Sequence, residues 1–360
     1  MTETSNYQQH TAPDVLPADH PEVAQGKVGI LLVNLGTPDG TDYRSMRRYL
    51  SQFLSDRRVI ELPRLLWQPL LQAVILSRRP QRSGEAYEKI WNHEQNESPL
   101  RTITRRQAEE IAQCFTGNEE TAPEVLVDWA MRYGTPSIED RFMHLNESGC
   151  RRILVFPLYP QYSAATTASA CDTVYRTMMR LRWQPSLRTA PPYHDEPAYI
   201  AALGASIREH LAQRSQWPER ILVSFHGLPR ENLDKGDPYH CHCQKTARLL
   251  SSYMSEHLGN DCPPLQIVFQ SRFGPKEWLQ PYADVTTADL ARQGTKRLAI
   301  ISPGFAADCV ETLEELNIGL RETFLENGGE DFTYIPCLND SQAHIDMLTG
   351  LLRRELAGWI

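Results

Sequence analysis

A chain of 360 residues, 41% hydrophobic and 23% charged, is long enough to bury one large core or two ordinary ones. Its formal charge of -8 argues against a nucleic-acid partner, which calls for a basic balance or stripe, but leaves room for a small acidic ligand held by a local group of arginines. Eight cysteines are too sparse for a disulfide scaffold, so reduced thiols in a cytoplasmic setting are expected.

Residues 1–27 are polar and lack an apolar core flanked by basic residues, so they read as a flexible tail rather than an export signal. Residues 28–34 form an apolar run ending in Leu35-Gly36-Thr37-Pro38, the pattern of a buried parallel strand entering a loop. An insertion spanning about 50–100 follows. Its apolar segment, 62–76, is interrupted by Gln68, Pro69 and Gln72 and is too short to span a bilayer. A strand from residue 125 runs into Arg132-Tyr133-Gly134, then come a helix at 137–148, a strand at 153–157 and a helix at 166–182. A helix at 197–214 precedes a strand at 221–225, which ends at His226-Gly227-Leu228-Pro229. Further helices are expected at 242–257, 305–326 and 341–357, with strands from 267 and at 298–303.

The chain repeats itself. Ile30, Gly36 and Pro38 correspond in spacing to Ile221, Gly227 and Pro229, and Tyr133-Gly134 with Pro136 is echoed by Phe273-Gly274-Pro275. Gly149 and Gly294 each precede a basic pair and a strand. The expected fold is therefore α/β: two similar Rossmann-like lobes, 28–190 and 191–360, each a parallel sheet flanked by helices with right-handed crossovers. No G-x-G-x-x-G follows either leading strand, so nucleotide binding is not indicated. The first half holds about fifty extra residues after its leading strand, where ligands bind in such sheets.

Three groups of residues carry candidate chemistry. His226 stands at a strand-to-loop corner, and an imidazole exchanges protons near neutrality. Asp308, Glu311 and Glu315 fall on one face of the expected 305–326 helix; dipole complementation explains Asp308 and only part of the rest. One histidine with carboxylates suits a borderline divalent metal such as ferrous iron, in an open transit site or a base and acid pair. Arg78, Arg79 and Arg132 offer charge, and Tyr87, Trp91, Tyr133, Tyr159, Tyr162 and Trp278 offer flat apolar faces; most such aromatics are core, yet the set also suits a wide planar acid. Cys241 and Cys243, beside His240 and His242, lack the spacing of a metal clip and read first as packing or surface residues.

LLVNLGTPD (31–39), MRYGTPSIED (131–140), FPLYPQYSAATT (156–167), VSFHGLP (223–229), KGDPY (235–239), FQSRFGPKEWLQP (269–281) and SPGFAADCVETLEEL (302–316) together resemble the protoporphyrin ferrochelatases. The resemblance implies a chelatase-like fold with the active-site cleft between two lobes, and insertion of ferrous iron into protoporphyrin IX as the last step of haem biosynthesis. It assigns catalysis to His226 and Glu311, and metal handling to His226, Glu311 and Glu315. Porphyrin contacts carried over by position are Leu35, Arg78, Arg79, Tyr87, Ser98, Arg132, Tyr133 and Trp278. Gly319 stands where the family's path often has an outer acid, and Cys309 where a histidine is frequent. Ala164 after the QYS triplet, and an end at Ile360, lead to the expectation of no [2Fe-2S] cluster and no tightly bound cofactor, with Fe2+ as substrate. The insertion resembles the family's apolar lip, implying peripheral membrane contact through 62–76 on the cytoplasmic side and a handover partner from the preceding step. A coproporphyrin or cobalt chelatase of the same fold, or a porphyrin carrier without chemistry, are the alternatives.

Overall fold

In the computed structural model, which describes residues 26–116 and 123–360, the chain forms two four-stranded parallel sheets. The tail expected at 1–27 lies outside the described residues up to residue 25. The first half comprises β1 (Lys27–Gly36), α1 (Tyr43–Leu54), α2 (Arg64–Leu70), α3 (Leu76–Glu88), α4 (Pro99–Gln113), β2 (Val125–Tyr133), α5 (Ile138–Glu147), β3 (Cys150–Pro157), α6 (Ser169–Met178) and β4 (Ser186–Thr189). The second comprises α7 (Pro197–Ala212), β5 (Arg220–His226), α8 (Arg230–Asp234), α9 (Tyr239–Leu258), β6 (Leu265–Gln270), α10 (Ala283–Arg292), β7 (Arg297–Ile301), α11 (Arg321–Glu326), β8 (Asp331–Ile335) and α12 (Gln342–Glu355).

The sheet orders are β2-β1-β3-β4 and β6-β5-β7-β8, the same topology twice. The leading strands β1 and β5 are apolar on both faces and sit inside their sheets, as continuous hydrophobic runs require. At the end of each stands a glycine pressed against its neighbour, Gly36 closing β1 and Gly227 just after β5: a Cβ on Gly36 would lie 1.8 Å from the Tyr133 carbonyl, and one on Gly227 2.7 Å from that of Gln270. In each half a loop folds back on the second strand through one hydrogen bond, Met131 N–H to Pro136 O and Phe269 N–H to Pro281 O, both 2.8 Å. Pro281, not Pro275, is therefore the counterpart of Pro136. The two loops differ in length, and the longer one in the second half carries Ser271, Phe273 and Trp278.

Two expected helices change character at their starts. The 166–182 helix opens with a π-helical turn, Ala164–Ala168, capped by the Ser163 hydroxyl. The 305–326 helix begins later, as a π-helical segment Glu311–Leu320 running into α11. Another π segment, Leu71–Ile75, follows Pro69 in the insertion, where a proline lacks the N–H that an α-turn needs.

One hydrophobic cluster runs through both halves, joining Ile30, Leu32 and Phe156 to Val223, Phe225 and Ile301 by way of α7, α9 and α12. The last helix ties back to the first half: Arg188 donates to the Glu355 carbonyl at 2.6 Å and Arg353 to that of Cys114 at 2.9 Å. A separate cluster lies under the insertion, built from Met46, Tyr49, Leu71, Tyr87, Trp91 and Tyr133. Among the described residues no helix is long and apolar enough to cross a membrane.

Candidate active site

His226 is the last residue of β5 and is half-buried. Its Nδ1 lies 2.6 Å from the Gly227 carbonyl, which can only accept, so the neutral ring carries its proton on Nδ1 and leaves the Nε2 lone pair free. Its own carbonyl accepts from the Tyr239 hydroxyl at 3.0 Å. Gly227 stands between the Gln270 carbonyl and the Trp278 ring, and any side chain there would push the two apart.

In the ladder His226 is paired with Gln270 at the end of β6. The Gln270 amide donates to the Glu311 carbonyl at 2.7 Å and its oxygen accepts from Ser224 at 2.8 Å. One buried glutamine thus joins the strand bearing His226 to the turn bearing Glu311, which follows the neighbouring strand β7. Burial, with the nearby charge of Glu315 next, pushes the Glu311 carboxyl above its usual range; Cys309 and His226 act in the opposite direction. Glu315 is likewise raised by burial, though its carboxylate accepts from the Ser271 hydroxyl. Ser271 adopts a left-handed φ of 64°, uncommon for a residue with a side chain, and this turns its hydroxyl toward the acid.

Asp308 does not join this row. It precedes the helix, is buried, and accepts from Thr312, Tyr334, Asn339 and the Cys337 amide. Both of its oxygens are held by donors from Thr312 and from the segment 334–339, so the expected three-acid face reduces to Glu311 and Glu315. Among the described residues no group of three His, Cys, Asp or Glu side chains is spaced to hold a metal together. His226, Glu311 and Glu315 share a region without forming a closed coordination set.

From the first half, Leu35, Tyr49 and Tyr87 pack in one apolar cluster with Val310, the residue before Glu311. Tyr49 and Tyr87 meet edge to face at 6.4 Å. Burial raises the Tyr49 hydroxyl, and the charge of Glu311 acts in the same direction. Arg79, half-buried on α3, lies over the Phe273 ring at 5.4 Å, and Phe273 leans on Trp278 at 4.9 Å. Burial lowers Arg79, while the charge of Glu315 opposes that shift.

The remaining expected contacts are engaged elsewhere. Ser98 is buried and caps α4. Arg132 and the Tyr133 hydroxyl converge with Ser169 on Asp56. Burial would raise Asp56, yet Ser169, the Arg58 amide, Tyr133 and Arg132 together hold it below the usual range. Arg78 is exposed. Trp91, Tyr159 and Trp278 are buried. A groove of about 1530 Å³ is lined by α1, residues 55–64 and α6, and of the expected site residues it touches only Arg132.

A family model for ferrochelatase matches residues 27–356. The chain belongs to the ferrochelatase family. It is 57% identical over 350 residues to the ferrochelatase of Agrobacterium fabrum (strain C58 / ATCC 33970), covering 97% of this chain and 99% of that one. It is 58% identical over 342 residues to that of Rhizobium meliloti (strain 1021), covering 95% and 98%. Among solved structures, SirB from Bacillus subtilis with Fe3+ superposes with a TM-score of 0.54 at 11% identity, over 92% of this chain and 96% of that one, a likeness of fold.

Sequence reasoning passed over Tyr49, Gln270, Ser271 and Phe273. The last three lie inside the FQSRFGP motif, but the role of Gln270 comes from strand register with His226 and that of Tyr49 from the packing of α1 under the insertion.

Proposed function

We propose that this ferrochelatase-family enzyme inserts ferrous iron into protoporphyrin IX to form protohaem, the last step of haem biosynthesis, in a cleft between lobes at 28–190 and 191–360. The carrying observation is the fixed tautomer of His226: with Nδ1 bonded to the Gly227 carbonyl, Nε2 is the only ring nitrogen able to take a proton. In the reaction two pyrrole protons leave the macrocycle as its four nitrogens close on Fe2+. His226 accepts one pyrrole proton at Nε2, and the Glu311 carboxylate, freed as it hands over the iron, accepts the other. Glu311 and Glu315, whose carboxyls burial inclines to stay protonated, lose their protons as the cation arrives and present its partly dehydrated form. Bending of the macrocycle, drawn from contacts remote from its centre, exposes the pyrrole nitrogens. The wall of Leu35, Tyr49 and Tyr87 supplies apolar contact, Arg79 and Arg78 the cations for the acid side chains, and Trp278 backs the His226 loop. Arg132 and Tyr133 contribute by exchanging Asp56 for substrate, and Ser98 by setting the end of α4.

The enzyme works in the cytoplasm. The exposed leucines of 62–76 rest on the inner face of the membrane, where an apolar porphyrin arrives from the enzyme of the preceding step. An anaerobic assay of Fe2+ insertion into protoporphyrin IX, run beside coproporphyrin III and Co2+, tests the substrate. His226→Ala is expected to lose turnover and keep porphyrin affinity; near-normal turnover refutes the role of His226. Tight porphyrin binding by the unaltered chain with no metallation would favour the carrier.

A further inference from the structure

The groove beside α1 contains none of His226, Glu311 and Glu315 and shares only Arg132 and its partner Asp56 with the expected porphyrin contacts, and its charge is out of keeping with a chain of net charge -8. Eight arginines line it against three carboxylates, a formal charge of +5. All three carboxylates are already neutralised: Asp56 by Arg132, Asp172 by Arg58 at 2.9 Å, and Glu61 by Lys235 from the other half at 2.6 Å. Arg44, Arg47, Arg57, Arg64 and Arg176 have no carboxylate within 4 Å among the described residues. Exposed like charges at this density repel one another unless an anion visits, so the arrangement is costly for a surface that binds nothing.

The rim of the groove is apolar. Leu62 and Pro63 line it, and α2 continues from Arg64 into Leu65 and Leu66, which are 90% and 73% exposed, then Leu70 and Val74, also exposed. On the opposite side, α6 carries Arg176 in the groove and Met179, 79% exposed, one turn on. Large apolar side chains flanking unpaired arginines are the composition that lies in a bilayer interface: the apolar groups enter the acyl boundary while the guanidinium groups reach phosphates. A soluble phosphate compound would use the arginines and leave the leucines wet; an uncharged bilayer would use the leucines and leave the arginines unpaired.

We propose that this groove is a binding site for the phosphate headgroups of anionic phospholipids, which seat the chain on the membrane with residues 62–76 inserted beside it. The inference rests on the lip contact of the preceding section and adds to it a lipid selectivity that contact alone does not require. Planar guanidinium forks suit bidentate phosphate contact.

The test measures co-sedimentation of the full chain with vesicles of phosphatidylcholine alone and of phosphatidylcholine mixed with phosphatidylglycerol. Partitioning is expected mainly to the anionic vesicles and to weaken as salt rises. With each interfacial arginine worth roughly a fivefold change, the double variant Arg57→Gln/Arg64→Gln should lose about thirtyfold on anionic vesicles. Its iron insertion into detergent-dispersed protoporphyrin should be unchanged, which also reports that it folds. Leu65→Gln/Leu66→Gln should weaken binding to both vesicle types. Equal partitioning to both, untouched by the arginine variant, overturns the headgroup site while leaving the lip contact standing. No partitioning to either overturns both. Displacement from anionic vesicles by low concentrations of inorganic phosphate would assign the groove to a soluble phosphate and overturn the lipid assignment.

Discussion

Replacing Gln270 by leucine keeps a buried side chain, one bond shorter, and removes both polar contacts it makes at the end of β6. In the native protein its oxygen accepts from Ser224, which is fully buried, and its amide donates to the Glu311 carbonyl. The variant leaves one donor and one acceptor without partners in a dry setting. At roughly 1–3 kcal/mol for each orphaned group, the expected destabilisation is about 2–6 kcal/mol. With a urea dependence of about 3 kcal/mol per molar, this lowers the unfolding midpoint by roughly 1–2 M. The functional effect has a separate cause. Glu311 is no longer tied to the strand that pairs with β5, and a displacement of about 1 Å at a reacting group is enough to cost on the order of a hundredfold in turnover. Urea titration followed by fluorescence gives the first quantity, and steady-state iron insertion well below the unfolding midpoint gives the second. Turnover within twofold of the native enzyme, alongside the stability loss, would refute the bridge and leave Gln270 as a buried structural amide.

Glu311→Gln should abolish turnover and stabilise the fold at neutral pH. A buried acid with a raised folded pKa binds more protons folded than unfolded, so native stability falls as pH rises through the window between the usual glutamate value of 4.5 and the raised folded one. The melting-temperature difference between variant and native should therefore grow from acid to neutral pH; a constant difference would contradict the burial. Gly36→Ala meets a carbonyl at 1.8 Å with φ at +111°, whereas Gly294→Ala, at φ +100°, meets nothing. The first should cost roughly 3 kcal/mol or more and the second about 1 kcal/mol, and equal losses in urea titration would refute the close approach at β1. Thiol labelling of the native protein should modify Cys241 quickly, Cys114 and Cys262 more slowly and the other five only on unfolding, because Cys241 is the exposed one of the eight.

The continuous apolar runs at 28–34 and 221–225 and the matched spacing of Gly36 and Gly227 were enough to read a doubled parallel α/β fold, because strand burial and close backbone approach are local demands on residue type. His226 and Glu311 were legible for the same reason: His226 closes β5, Glu311 opens the helix that follows β7, and strands β5 and β7 lie side by side. The position of Asp308 was not. Its spacing put it on a helix face, but Tyr334 on β8, with Cys337 and Asn339 just after it, draws it into a buried network, and the helix begins only at Glu311. Arg132 and Tyr133 were read as free to meet a ligand, and only the fold of 55–64 brings Asp56 to them. The same fold gathers arginines from α1, the following loop and α6 into a single groove, although they are scattered along the sequence among acids. Sequence by itself determined which residues lie at strand ends, since that is set by periodicity and neighbours in the chain. Tertiary structure decided which of them keep their polar atoms free, since a hydrogen-bond partner can come from any part of the chain and claims a group before a substrate can.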